Sequence, residues 1–167
     1  MFTGNPGHLR SFGYTGPYRY FLTFCTNLRR HLFTSRDRVD LVLMQIVRSA
    51  AEERFAIVAY CFMPDHIHLL IEGQSNSSDC RRFISRAKQF SGFHYSRAFG
   101  HRLWQRYGVE RVLRSEETTL QAARYVLENP LRAGLVKHVE EYPFLGSTTH
   151  AIGEILAAAP DARSRSG

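Results

Sequence analysis

Cysteine is scarce in this chain. Three occur in 167 residues, Cys25, Cys61 and Cys80, widely separated and with no C-x-x-C pair. A disulfide scaffold and a zinc ribbon are therefore not expected, and a reducing compartment is. Long apolar runs are missing too: none approaches the roughly 18 residues that a membrane span requires. The opening MFTGNPGHLRSFGY holds no apolar stretch of the kind that drives secretion, so no leader is expected. A P-loop is absent, which argues against chemistry driven by nucleotide triphosphates. Neither an H-x-H-x-H run nor paired H-x-[Ser/Thr] segments are present, which argues against two families of phosphate-ester hydrolases. Acids are outnumbered, 15 against 22 Lys plus Arg, for a net charge of +7. That balance favours a polyanionic partner, although a basic surface also serves solubility. Apolar residues make up 44% and aromatics 13% of the chain. One sizeable core is expected, and disorder is excluded for most of the length.

Periodicity orders the chain. Residues 1–16, rich in glycine, read as a flexible arm. Residues 17–150 read as a single domain, and 151–167 as a partly disordered tail ending in PDARSRSG. Tyr18 to Thr26 is aromatic and β-branched, a strand. Thr34 with Asp37 reads as a capping box opening a long helix. Its apolar stripe is Val39, Val42, Leu43, Ile46, Val47 and Ala50. Phe55 to Phe62 is a strand, Met63-Pro64-Asp65 a turn, and His66 to Glu72 another strand. Ser77 to about Phe99 is helical, with Phe83, Ala87, Phe90 and His94 expected on one face. Leu103 to Leu113 holds short strands around a Tyr107-Gly108 break. Ser115, followed by Glu116 and Glu117, is expected to open a last helix that Pro130 stops near Asn129. The order β-α-β-β-α-β-α predicts an α+β, ferredoxin-like antiparallel sheet packed with helices, plus an extra C-terminal helix.

The segment MPDHIHLLIEG, residues 63–73, carries the sharpest chemical signal. Alternate residues of a strand share a face. Ile67, Leu69 and Ile71 then point into the core, and His66 and His68 point the other way. Two imidazoles so placed can hold one divalent cation and leave other positions open. The bland alternative is a pair of histidines on a half-exposed strand. No third ligand stands nearby on the strand, because Leu70 occupies the next position on that face.

On the last helix, Leu120, Ala123 and Leu127 form an apolar stripe from which Tyr125 departs by about 160°. Asn129 stands one turn beyond Tyr125 on the same face. A half-wet tyrosine is ordinary taken alone. Beside an H-x-H strand it acquires a second reading, as a nucleophile toward phosphorus with Asn129 as the third metal ligand. A phenol is a weak nucleophile at neutral pH, and a cation on the phosphate offsets that weakness.

Between these motifs, residues 79–106 hold seven Arg or Lys and one acid. Arg81, Arg82, Arg86, Lys88, Gln89, Arg102 and Arg106 are candidate DNA contacts. Trp104 is either a stacking platform or a packing anchor. Cations interleaved with aromatics suit single-stranded nucleic acid.

Taken together, AYCFMPDHIHLLIEG, AKQFSG, LWQRYGVERVLR and ARYVLENPLRAGLV resemble the REP-associated tyrosine transposases, of the single-tyrosine HUH superfamily. The resemblance runs from about Tyr18 to Ser147. It implies that His66 and His68 are metal ligands, Tyr125 the catalytic nucleophile and Asn129 a third ligand. It further implies Mg²⁺ or Mn²⁺ as cofactor. The reaction it implies is cleavage and strand transfer of single-stranded DNA at hairpin-forming palindromic repeats, through a 5′-phosphotyrosine that frees a 3′-OH. Gly108 and Val109 depart from the family pattern, which often has aromatics there. A monomer or homodimer acting on DNA in the bacterial cytoplasm, with the nucleoid, is expected. The alternative is a domesticated hairpin-binding module with weak or no nicking.

Overall fold

The computed structural model describes residues 13–107, 109–112 and 118–160. The elements in chain order are β1 (Arg19–Cys25), α1 (Arg36–Glu52), β2 (Phe55–Met63), β3 (His66–Gly73), α2 (Cys80–Phe99), β4 (Val109–Val112), α3 (Thr119–Leu127), α4 (Asn129–Arg132), β5 (Leu145–Gly146) and α5 (Ile152–Ala157). The strands form one sheet in the order β4-β1-β3-β2-β5, every pair antiparallel. The first four strands have the ferredoxin-like order, and β5 extends one edge.

Strand alternation divides the core in two. Tyr20, Leu22, Phe24, Ile67, Leu69 and Ile71 pack with Val39, Val42 and Ile46 of α1 and Phe83 and Ala87 of α2. On the opposite face Ala59, Cys61 and Leu70 meet Ala122, Ala123, Val126 and Leu127 of α3. A register shift between Ile57 and Ala59 turns both Val58 and Ala59 toward α3. Such a bulge lets one strand serve both layers. The last helix thus covers the face that α1 and α2 leave open.

Helix ends differ from the expectations in instructive ways. Ser35, not Thr34, occupies the N-cap of α1, and its hydroxyl bonds Asp37 instead of the backbone. Asp79 caps α2 by accepting from the Arg82 N–H at 3.1 Å, and Gly100 ends it at φ +80°. The buried stripe of α2 is Cys80, Phe83, Ala87, Ser91 and Tyr95; Phe90 and His94 are only half-buried. A capping box of Thr118 and Gln121 opens α3, so the helix begins later than expected, and Ser115 to Glu117 lie outside the described residues. Pro130 does not stop the helical path. It sits at the start of α4, where its missing N–H costs nothing. Leu120, expected in the central stripe, only flanks the buried set.

The two outer segments are also more ordered than composition suggested. Tyr14 is a core residue, its ring stacked on Tyr20 with centroids 6.2 Å apart. The Gly16 N–H donates to Ser78 O, and a Cβ on Gly73 would lie 2.2 Å from the Gly16 carbonyl oxygen. The arm reading therefore fails for residues 13–16, and residues 1–12 lie outside the described set. At the other end, α5 buries Ile155 completely against the α3 layer, so the ordered part of the expected tail includes 152–157.

Candidate active site

The β2–β3 turn builds the histidine pair. His66 and His68 project from β3 toward the α3 side, opposite Cys25 and Thr23 of β1 and Met63 and Cys61 of β2. Their Nε2 atoms are 3.0 Å apart. Each Nδ1 has its own partner. His66 Nδ1 donates to Asp65 Oδ1 at 2.6 Å, and His68 Nδ1 lies 3.2 Å from Thr23 Oγ1. The Asp65 carboxylate fixes the His66 proton on Nδ1 and leaves its Nε2 lone pair free, while Thr23 orients the His68 ring. Burial first, and then the charges of His66, Arg132 and Arg29, press the His68 pKa down to about 3. Its imidazole is therefore neutral, with the lone pair a metal needs.

The pair fits a divalent cation. Cis positions on an octahedral ion with bonds of ~2.1 Å are about 3 Å apart, the separation the two nitrogens show. Among the described residues, no group of three His, Cys, Asp or Glu side chains could hold a metal. A third ligand drawn from the described residues would be another residue type. Asn129 sits at the α3–α4 junction, and its amide nitrogen donates to Val126 O at 2.9 Å. Its side-chain oxygen keeps its acceptor capacity.

Tyr125 lies on the same side of the sheet. Its half-buried ring meets Phe21 of β1 edge-on, with centroids 5.9 Å apart. Phe21 is two residues from Thr23, so the tyrosine stands over the face that carries the histidines. The Arg132 guanidinium lies 3.9 Å from the Tyr125 ring centroid and donates to the Tyr125 carbonyl at 2.6 Å. Glu128 pairs with both Arg124, at 2.7 Å, and Arg132, at 3.7 Å. Among the described residues the Tyr125 hydroxyl makes no hydrogen bond. Tyr95, on α2, is buried on the opposite side of the sheet among Arg38, Phe99 and His101. Tyr107 is 72% exposed beside Arg106.

The basic stretch divides. Lys88, Gln89, Arg102 and Arg106 line a cleft of about 320 Å³ between α2 and the segment after it. Lys88 reaches across to donate to Gln105 O at 3.1 Å. Arg82 and Arg86 lie outside it and pair with Glu52 and Glu53 at the end of α1, at 2.6–3.4 Å. Arg81 stacks on Tyr14 at 4.7 Å. Trp104 corrects the stacking-platform reading. It is 5% exposed, its indole N–H donates to Ser91 Oγ at 2.9 Å, and its ring packs on Phe24 and Phe33. It anchors the wall of the cleft and offers no face to a base.

Sequence reading missed Thr23, Asp65, Arg29 and Arg132. Only Asp65 had a local signal, as the residue next to His66. The other three reach the site through strand register or a later helical turn.

Known proteins of this architecture exist. The model for the family described as "Transposase IS200 like" matches residues 16–129. A REP-associated tyrosine transposase of Escherichia coli is 29% identical over 135 residues, covering 78% of this chain and 75% of that protein. A Haemophilus influenzae protein named for the same group is 27% identical over 109 residues, 54% of this chain; the match spans just 57% of that relative's length. A solved REP-associated tyrosine transposase bound to a REP hairpin shares the fold, with TM-score 0.67 and 23% identity over 83% of this chain and 81% of that one. So does a Deinococcus radiodurans protein described as a transposase, with TM-score 0.52 and 19% identity over 78% and 95% of the two chains. The family match takes in both histidines, Tyr125 and Asn129, and spans well over half of the sequence: the chain belongs to the IS200-like transposase family.

Proposed function

We propose that this chain is a metal-dependent single-strand DNA endonuclease and strand transferase acting at hairpin-forming repeats. The observation that carries the reading is the convergence of His66 and His68, Nε2 to Nε2 at 3.0 Å, on the sheet face over which α3 holds Tyr125. His66 and His68, with Asn129, would hold the cation, Mg²⁺ or Mn²⁺. A divalent ion there supplies charge stabilisation at the scissile phosphate.

The chain's own groups do the rest. Tyr125 Oη attacks phosphorus and loses its proton. The O–P bond to tyrosine forms as the P–O3′ bond breaks, and the leaving oxygen is protonated to a 3′-OH. The DNA is left as a 5′-phosphotyrosine, so a later 3′-OH can reverse the exchange without ATP. The Arg132 guanidinium, against the Tyr125 ring, restrains that ring and places positive charge where the phosphate arrives. Asp65 and Thr23 keep the histidines in register. The cleft with Lys88, Gln89, Arg102 and Arg106 is the surface proposed for the single strand. The hairpin on the solved relative supports hairpin DNA as the partner here. Among the described residues no helix is long and apolar enough to cross a membrane.

The test is incubation of labelled palindromic single strands with the protein and Mg²⁺ or Mn²⁺, followed by peptide mass spectrometry. A nucleotide adduct on Tyr125 is expected. An adduct on Tyr107 would reassign the nucleophile. Hairpin binding without any adduct in either metal would establish a binding module instead.

A further inference from the structure

Between β1 and α1 the chain makes a turn that combines three unusual properties. Leu28 is 82% exposed, the most open large apolar side chain among the described residues. Leu28 and Arg29 both adopt left-handed backbone, at φ +56° and +54°. Side-chain-bearing residues adopt that region at a cost, so two in succession must be held there. The holding bonds are visible. Arg29 Nε donates to Asp65 Oδ2 at 2.9 Å and its Nη1 to Cys25 Sγ at 2.8 Å. Thr26 Oγ1 bonds Arg30 O at 2.7 Å and Asp65 O at 3.1 Å, and the Asn27 N–H donates to Leu103 O at 2.7 Å.

These bonds place the turn. On one side it is tied to Asp65, whose other carboxylate oxygen holds His66. On the other it is tied to Leu103, in the wall of the cationic cleft. Arg29, Arg30 and His31 beside Leu28 are exposed as well. An apolar tip beside the exposed Arg30 therefore stands between the cleft and the histidine pair. Water alone gives no reason for a strained, exposed leucine at that point. A polynucleotide does, because cations meet its phosphates while an aliphatic side chain meets the face of a base.

We propose that Leu28 is a wedge for single-stranded DNA. Resting on the function proposed above, the strand runs from the cleft across the turn to the histidines. Leu28 packs against the unpaired base beside the scissile phosphate and separates it from its neighbour, as apolar wedges do when they enter a base step. The Arg29–Asp65 pair keeps the wedge in register with His66.

The test uses the full chain and a palindromic hairpin whose unpaired flanks carry 2-aminopurine, a base that brightens when unstacked. Binding is followed in the Tyr125→Phe background, and adduct formation with Tyr125 intact. Leu28→Asn keeps a residue tolerant of left-handed backbone and removes the apolar tip. Leu28→Met keeps the tip. Expected for Leu28→Asn are loss of the fluorescence rise and about tenfold weaker binding of the flanked hairpin, with binding of a flankless hairpin unchanged; Leu28→Met should behave as the parent. A Leu28→Asn protein with parental fluorescence and affinity, while the chain with Leu28 and Tyr125 intact still forms its adduct, overturns the wedge and leaves the enzyme reading standing. A fluorescence rise that depends on Leu28, with no adduct in the unsubstituted chain, supports the wedge and overturns the enzyme reading. No binding by the unsubstituted chain overturns both.

Discussion

The two faces of the sheet are built from the same strands to different standards. Toward α1 and α2, Tyr20, Leu22, Phe24, Ile67, Leu69 and Ile71 are each at most 1% exposed, and large aromatic side chains complete the seal. Toward α3 the cover mixes small residues, Ala59, Cys61, Ala122 and Ala123, with the aliphatic Val126, Leu127 and Ile155, and on β3 it stops at Leu70. Beyond Leu70 the same face presents His68, His66 and Thr23, only half-buried. Odd positions of β3 hold the fold; of the even ones, Leu70 closes the α3 layer, and His66 and His68 are the proposed metal ligands. Stability and activity should therefore respond to different substitutions on a single strand.

The sharpest break of that comparison is Tyr125→Phe. It removes one oxygen that has no hydrogen bond among the described residues and keeps the ring against Phe21 and Arg132. Covalent adduct should vanish, while the unfolding free energy changes by less than about 1 kcal/mol, measured by denaturant titration. A Phe variant that still forms adduct at the parental rate would remove Tyr125 from the mechanism.

The opposite result is expected behind the sheet. Phe62→Ala opens a cavity where Phe33 and Tyr60 touch it, with ring centroids 5.0 and 6.0 Å away. It should cost ~3–5 kcal/mol of stability. At temperatures where the variant stays folded, adduct chemistry should persist. Thermal melts run beside adduct assays distinguish the two effects.

An intermediate effect sharpens the histidine side. Asp65→Asn and Thr23→Val leave both imidazoles in place but weaken what orients them. Mn²⁺ affinity, read as free-ion signal by electron paramagnetic resonance, should fall about 10- to 100-fold for Asp65→Asn. Thr23→Val should fall less, since its bond is longer and uncharged. Unchanged affinity in both would mean that β-sheet geometry alone positions the pair.

The smallest effects belong to the basic surface. Arg102→Ala and Arg106→Ala should each flatten the log–log salt dependence of single-strand binding by about 0.7, the contribution of one neutralised phosphate. Arg82→Ala should change it little, because that guanidinium is already paired with Glu53 at 3.4 Å. An equal slope change at Arg82 would move the DNA track onto the outer face of α2.

Local pattern was enough to establish β1, β2 and β3, the two long helices and the placing of His66 and His68 opposite Ile67 and Leu69, but not the edge strand β5. Period-two and period-3.6 burial are written in neighbouring residues, so no distant information is needed to read them. The step from Tyr125 to Asn129 was not legible in this way: α3 ends at Leu127 and Asn129 opens α4, so the two do not lie on one uninterrupted helix as expected. Other features depended on which segments meet. In one dimension Trp104 stood open between stacking platform and packing anchor; packing buried it against Phe24 and Phe33 and left Lys88 lining a cleft. Tyr14 and Ile155 sat in stretches whose composition suggested loose ends, yet each completes a core layer. Thr23 and Arg29 became partners of the site because β1 pairs with β3 and the chain then turns back over Asp65. Tyr95 and Tyr125 are both tyrosines on helices, and the local pattern singled out Tyr125 without showing which side of the sheet either occupies. The sheet does: it stands between Tyr95 and the histidines and puts Tyr125 on their side, because the last helix had only one uncovered apolar face left to bury.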